Sequence, residues 1–370
     1  MRVAVTVEQS WHRVPGGTAW SVLELLRALG RRADLAVVGV AARHQHPAPE
    51  GWRPPVVTRH LTLPRLALYE AWHLPVGRFP RVERATGRVD VVHASTLAYP
   101  ATAAPVVATV HDLAFLDDAG VATRHGLRFS RRGLDLARRH AALVVCPSEA
   151  TRRDCLRAGI DDARLRVVPW GVDAEPATAA DIERARARHG LDRPYVLFCG
   201  TVEPRKNLPA LLQAFAGLER PDTDLVLVGP DGWNEDIGPA VARLGPRVRP
   251  LGFRPRSELL ALLAGAAVVC YPSRREGFGL PVLEAMAQGA PVVTSRGTAT
   301  EEVAGKAAVL VDPADVGSIA AGLKRVLDDD RLARELSERG RARAASYTWE
   351  RAAERYAAVY AEAAVAGGAP

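Results

Sequence analysis

Arg205 and Lys206 stand side by side in Gly200-Thr201-Val202-Glu203-Pro204-Arg205-Lys206-Asn207-Leu208, after a short apolar run and ahead of a helical one, Leu211 to Leu218. At a strand-to-helix turn, a planar guanidinium fork and a compact ammonium, backed by the positive end of a helix dipole, can meet a diphosphate. The plainer alternative is a turn with Asn207 as helix N-cap and two solvated cations. Further along, Glu276 and Glu284 lie eight positions apart within Ser273-Arg274-Arg275-Glu276-Gly277-Phe278-Gly279-Leu280-Pro281-Val282-Leu283-Glu284-Ala285-Met286-Ala287-Gln288-Gly289. Gly277 and Gly279 let the backbone pass close to a ligand, Pro281 suits a first helical turn, and Gly289 can end the helix in a left-handed conformation. This order places Glu276 in the loop before a helix and Glu284 in its first turn, with helix-start amides facing an anion. Both carboxylates then flank one ligand and bind its hydroxyls, unless Glu284 only complements the helix dipole and Glu276 is solvated.

The elements that must position these groups show in the apolar pattern. Short β-rich runs recur between helix-like stretches at Val3 to Val7, Leu35 to Val40, Val89 to His93, Val106 to Val110, Leu143 to Cys146 and Leu165 to Val168. A second series runs through Tyr195 to Cys199, Leu225 to Val228, Val248 to Leu251, Ala267 to Tyr271, Pro291 to Thr294 and Ala308 to Val311. Such alternation is that of a parallel, doubly wound α/β sheet, here written twice. The length of 370 residues also suits two domains. The expected division is a first domain over 1–172, a hinge over 173–193 and a second domain over 194–346. An Ala-rich final helix over 347–370 has Trp349, Tyr356, Val359 and Tyr360 on one packing face and is expected to cross back to the first domain. Ligands of open α/β sheets sit outside the carboxyl ends of the strands, so strand-end loops are where chemistry is expected.

Composition sets further bounds. The hydrophobic fraction of 48% and charged fraction of 25% are those of a globular chain. No apolar run approaches the roughly 20 residues that span a bilayer, and the chain starts on a strand-like segment, so a cytoplasmic protein is expected. Cys146, Cys155, Cys199 and Cys270 show no CxxC spacing and read as buried free thiols. A net charge of +7 invites a nucleic-acid reading, but only Lys206, Lys306 and Lys324 are lysines among the 49 basic residues. The arginine and alanine excess points to coding bias, and no nucleic-acid partner is expected. Where arginine is the default cation, a lysine at position 206 marks a need for a compact ammonium.

These motifs resemble those of the retaining glycosyltransferases of family 4, with the GT-B fold of two facing Rossmann-like domains. The resemblance is carried by Gly200 to Leu208, Glu276 to Gly289, Cys146-Pro147-Ser148-Glu149-Ala150-Thr151, Val168-Pro169-Trp170-Gly171-Val172-Asp173 and Thr109-Val110-His111-Asp112-Leu113. It implies that Arg205 and Lys206 bind the donor diphosphate, that Glu284 holds ribose hydroxyls, and that Glu276 holds hydroxyls of the donor sugar. The backbone of Phe278, Gly279 and Leu280 would support sugar and phosphate, Gly200 would lead into the diphosphate turn, and Gly252 and Phe253 match the base-contacting loop. Pro15-Gly16-Gly17-Thr18 resembles the family's glycine loop, with Gly16 and Gly17 approaching the diphosphate. His111, ending a strand, would lie beside the donor sugar near the anomeric centre, with Asp112 next to it, although a strand-end histidine and a turn-capping aspartate are the plainer readings.

The implied activity is transfer of a hexose from a nucleotide-diphosphate sugar to a hydroxyl of a glycan, lipid or small molecule, with bacterial mannosyltransferases using GDP-mannose the nearest type. No Asp-x-Asp or His/Asp cluster reads as a divalent-metal clamp, so no metal or other cofactor is expected. A nucleotide-sugar epimerase of similar fold and a non-catalytic nucleotide-sugar-binding protein stand as rivals. Arg124, Arg128, Arg131, Arg132, Arg138 and Arg139 crowd one predicted helix, whose pattern favours a solvated face over an anionic-acceptor or membrane patch. Weak peripheral contact with the inner face of the plasma membrane and a homodimer are left open.

Overall fold

The structure, a computed structural model, describes residues 1–12, 16–117, 123–173, 175–232 and 234–367. It divides into two units, one formed by Met1–Gly171 with the final helix Trp349–Gly367, the other by Val172–Thr348.

The first unit holds a seven-stranded parallel sheet of β1 (Arg2–Thr6), β2 (Ala36–Arg43), β3 (Thr58–Pro64), β4 (Val91–Ala94), β5 (Val106–Thr109), β6 (Leu143–Cys146) and β7 (Leu165–Val167), in the order β3-β2-β1-β4-β5-β6-β7. Alternation along β1 sends Val3 and Val5 to one face and Ala4 to the other. On the Val3 face the sheet buries Val22, Leu26 and Leu29 of the helix Gly17–Gly30 together with Tyr356, Val359 and Tyr360 of the final helix. That helix also makes polar contacts with the sheet. Tyr360 Oη lies 2.8 Å from His93 Nδ1 on β4, and Tyr356 Oη lies 3.2 Å from Thr109 Oγ1 on β5. His93 Nε2 is 2.8 Å from the same threonine oxygen, so both ring nitrogens of this buried histidine have partners.

The second unit holds a six-stranded parallel sheet of β8 (Tyr195–Cys199), β9 (Asp224–Val228), β10 (Val248–Gly252), β11 (Val268–Tyr271), β12 (Val292–Ser295) and β13 (Val309–Val311), ordered β10-β9-β8-β11-β12-β13. Buried along their whole length, β8 and β11 read as unbroken apolar runs, and β9 and β12 are apolar except for Asp224, Thr294 and Ser295 at their ends, which is why the sequence shows them so plainly. Residues 173–193, expected as a hinge, contain the helix Ala179–Arg188 within this unit, opened by a capping box between Thr178 and Asp181. Strand β3 has no counterpart in the sequence reading. It is the sheet edge, only Leu61 of its residues is buried, and its apolar positions therefore form no run.

Strand order reverses between β1 and β4 in the first sheet and between β8 and β11 in the second. These reversals are the positions at which doubly wound sheets open a crevice at their carboxyl ends.

Candidate functional site

The loops leaving β8 and β11, adjacent strands at the reversal in the second sheet, carry three charged residues that meet at one carboxylate. After β8 the chain passes Gly200 and a short 3-10 turn, Pro204–Lys206, to Asn207 in the left-handed conformation. Asn207 precedes the helix Leu208–Ala216 without capping it through its side chain. Instead its Nδ2 donates to the carbonyls of Pro272 at 3.0 Å and Pro313 at 2.7 Å. The Arg274 amide donates to the Arg205 carbonyl at 2.8 Å, so the two loops are also joined through the backbone.

Within this frame Arg205 Nη1 donates to Glu276 Oε2 at 2.9 Å, and Lys206 Nζ donates to Glu276 Oε1 at 2.6 Å. Each carboxylate oxygen therefore holds one cation. Arg205 Nη2 also lies 2.8 Å from Glu203 Oε1, and Lys206 Nζ donates to Tyr271 Oη. Burial opposes the charge on Glu276, but the neighbouring Arg205 and Lys206 charges outweigh it and hold the carboxyl at about 2. Burial and the Arg205 charge push Lys206 below the usual lysine value, and Glu276 works against them. Both cations are thereby fixed in position before any anion arrives, the condition for electrostatic stabilisation without reorganisation.

Glu284 takes a different place from the expected one. The helix runs Leu280–Ala287, so Glu284 is its fifth residue, in the second turn, and does not complement the helix start. It is buried and accepts a hydrogen bond from Arg256 Nη1 at 2.5 Å, while Arg256 Nη2 reaches Asp173 Oδ2 at 3.4 Å. Burial raises the Glu284 carboxyl above its ordinary value, with Arg256 pulling the other way. Glu284, Lys206 and Arg256 all act electrostatically on the Cys199 thiol at the end of β8, which puts the two ion-pair groups around one strand end. Arg256, Asp173, Tyr271 and Glu203 were not singled out from the sequence. In so arginine-rich a chain, nothing in residue type or spacing marks Arg256 as the partner of Glu284.

The glycines of these loops answer to close packing. Gly279 precedes the helix at φ 104°, and a Cβ there would lie 2.8 Å from Thr300 Cγ2. A Cβ on Gly229 would fall 1.9 Å from the Gly200 carbonyl oxygen, so the turns after β8 and β9 tolerate no side chain at that point. Phe278 and Leu280 are buried, leaving their backbone rather than their side chains for any ligand. Gly252 ends β10 at φ 67° and accepts from the Gly229 amide at 3.0 Å; the adjoining Phe253 ring is half exposed.

In the first unit, Gly16 precedes and Gly17 begins the helix Gly17–Gly30, and a Cβ on either would meet nothing within 4 Å. Pro15 of the glycine loop lies outside the described residues. His111 follows β5; its Nε2 is 2.7 Å from the Ser95 carbonyl oxygen, so that nitrogen carries a proton. Its buried Nδ1 has no hydrogen-bond partner among the described residues. Burial depresses the His111 pKa, against the Ser95 carbonyl and Asp112. Asp112 Oδ1 accepts from the Ala114 amide at 3.0 Å, the turn-capping role. Two further residues at strand ends of this sheet escaped the sequence reading: buried Glu8, after β1, has Oε1 2.8 Å from His44 Nε2, after β2. The arginine-rich helix is Arg124–His140; Arg138 and Arg139 pair with Asp135, and Arg132 pairs with Glu70. Among the described residues no helix is long and apolar enough to cross a membrane.

Comparison with known proteins identifies the family of the chain. Residues 15–176 match the profile of Glycosyltransferase Family 4, and residues 180–343 match that of Glycosyl transferases group 1. The chain is 32% identical over 270 residues to O-antigen chain mannosyltransferase B of Escherichia coli, covering 70% of this chain and 71% of that protein. It is 38% identical over 233 residues to the MMP alpha-(1->4)-mannosyltransferase of Mycolicibacterium hassiacum, covering 60% of this chain and 54% of that enzyme. The crystal structure of Anabaena HepE in complex with UDP and glucose superposes with a TM-score of 0.75 at 20% identity, over 97% of this chain and 98% of that one. With its two Rossmann-like sheets of seven and six strands, the chain belongs to the family 4 glycosyltransferases of GT-B fold.

Proposed function

We propose that this glycosyltransferase moves a hexosyl group, mannose foremost, from a nucleotide-diphosphate sugar to a hydroxyl acceptor with retention of anomeric configuration and without a metal ion. The observation that carries the reading is the sharing of Glu276 by Arg205 and Lys206 at the strand reversal of the second sheet. As the glycosidic bond loosens, negative charge gathers on the departing diphosphate, and two fixed cations are the groups that stabilise it. Glu276, ionised between them, accepts hydrogen bonds from donor-sugar hydroxyls. Glu284 accepts them from the ribose, its second oxygen left over by Arg256. The acceptor hydroxyl loses its proton to the leaving phosphate as the new glycosidic bond forms, so no protein base is required. With the diphosphate held by side-chain cations, a metal bridge has no separate task. Mannose as the transferred sugar is supported by the names of the two relatives; the HepE structure, with UDP and glucose, makes UDP-glucose the necessary comparison.

The test is to measure glycosyl transfer and donor hydrolysis with GDP-mannose and UDP-glucose, with and without EDTA, and to determine product configuration by NMR. A retained anomer formed at equal rate in EDTA supports the reading. An inverted product, or activity lost in EDTA and restored by Mg²⁺, overturns the corresponding part of it.

A further inference from the structure

A cavity of about 520 Å³ in the first unit is lined by Arg78, Phe79, Arg81, Glu83 and Arg84. Elsewhere in this unit arginines often pair with carboxylates, as Arg132 does with Glu70 and Arg166 with Glu362. Here none of the three does so among the described residues. Arg78 is half-buried, its Nη1 is buried without a hydrogen-bond partner, and its guanidinium carbon lies 5.5 Å from the centroid of the Tyr99 ring. The one carboxylate in the lining is held by donors other than these arginines. Glu83 Oε1 accepts from Thr102 Oγ1 at 2.6 Å and from the amides of Ala103 and Ala104 at 2.8 and 3.3 Å. Its other oxygen, Oε2, is buried and has no partner.

We propose that this cavity is a binding site for a phosphate monoester, with Arg78, Arg81 and Arg84 on the phosphate and Glu83 Oε2 accepting from a hydroxyl of the group that carries it. Three unpaired guanidinium forks in one cavity suit a dianion with several acceptor oxygens, and a buried guanidinium nitrogen without a partner is costly until an acceptor reaches it. A soluble sugar or polyol phosphate and a lipid headgroup share this chemistry. The half-exposed Phe79 at the cavity would accompany either.

Phenylglyoxal labelling of the full chain, read by peptide mass spectrometry, resolves individual arginines. Inorganic phosphate, against chloride at equal ionic strength, slows labelling of Arg81 and Arg84 at least threefold and leaves the exposed Arg128 unchanged. Glycerol 3-phosphate and phosphatidic acid vesicles are then compared. Protection by the soluble ester assigns a metabolite, and protection by vesicles alone assigns a lipid headgroup. In Arg84→Ala the protection of Arg81 falls away, while Arg84→Lys retains part of it, and circular dichroism checks that both variants fold. In Lys206→Ala the protection persists, which separates this site from the donor site of the second unit. Equal labelling in phosphate and chloride, or equal protection of Arg128, overturns the proposal.

Discussion

Lys206 and Glu276, 70 positions apart in the chain, meet at 2.6 Å across the carboxyl ends of two adjacent strands. Neither residue has a free choice of partner: the ammonium is also tied to Tyr271 Oη and the carboxylate to Arg205. Lys206→Ala is expected to lower kcat by about 10²–10³-fold, the usual cost of losing one electrostatic donor. Lys206→Arg does not restore it, because a planar fork cannot occupy the space between the Tyr271 hydroxyl and Glu276 as a compact ammonium does. Steady-state kinetics on both variants check this; an arginine variant with wild-type kcat would refute the argument from shape.

The Glu276 carboxyl, held at about 2 in the folded protein against an ordinary value of 4.5, makes its own contribution to acid sensitivity. A depressed carboxyl contributes stability that is present above 4.5 and lost as pH falls toward 2. Glu276→Gln is therefore less stable than wild type at pH 7, and the gap narrows on acidification below 4.5. Urea midpoints measured from pH 7 to pH 3.5 decide it, and a gap independent of pH would contradict the assignment.

Arg256→Ala leaves the Glu284 carboxyl buried without its cation. A loss of about 2–3 kcal/mol is expected, below the full cost for a buried pair because the Arg256 side chain is 22% exposed. The double variant Arg256→Ala/Glu284→Ala recovers part of it, since the stranded charge is gone. Denaturant unfolding of the three variants gives the coupling, and a double variant no better than Arg256→Ala would show that the pair is not coupled in this way. If Glu284 binds the donor, Arg256→Ala also raises KM for donor by about tenfold or more.

His93 and His73 give the first unit an acid limit of its own. Burial lowers His93 to about 3 and His73 to about 4, from 6.5. Below 6.5 the unfolded chain takes up protons that the folded one refuses. The stability these neutral rings allow is therefore whole above 6.5 and falls progressively as pH drops toward 4, by up to about 1.4 kcal/mol per pH unit for each histidine. His93→Gln is expected to flatten this slope between pH 6.5 and 4. Thermal unfolding across that range tests it, and an unchanged slope would remove His93 from the account.

What the sequence made legible follows from burial. Strands covered on both faces, such as Tyr195–Cys199 and Leu143–Cys146, must be apolar along their length and stand out at once. The polar edge strand Thr58–Pro64 meets no such demand and passed unnoticed. Arg205, Lys206 and Glu276 were recognisable because local turns fix their exits from β8 and β11. The place of Glu284 was misjudged by one turn, because the start of its helix is set by the left-handed Gly279 and its packing on Thr300, neither of which is visible in spacing. Arg256 and Asn207 act through partners distant in sequence, and such partners are chosen by tertiary structure alone.

The hydroxyls of Tyr356 and Tyr360, resting on Thr109 and His93, carry a consequence for how the molecule comes into being. The strands of the first sheet are synthesised before the second unit, yet one face of that sheet is closed by residues translated after the whole of that unit. Until then Val3, Val5 and their neighbours lack part of their apolar cover, and the ring nitrogens of His93 lack one of their two partners. The cover of the first sheet is thus complete only once the second unit has been synthesised.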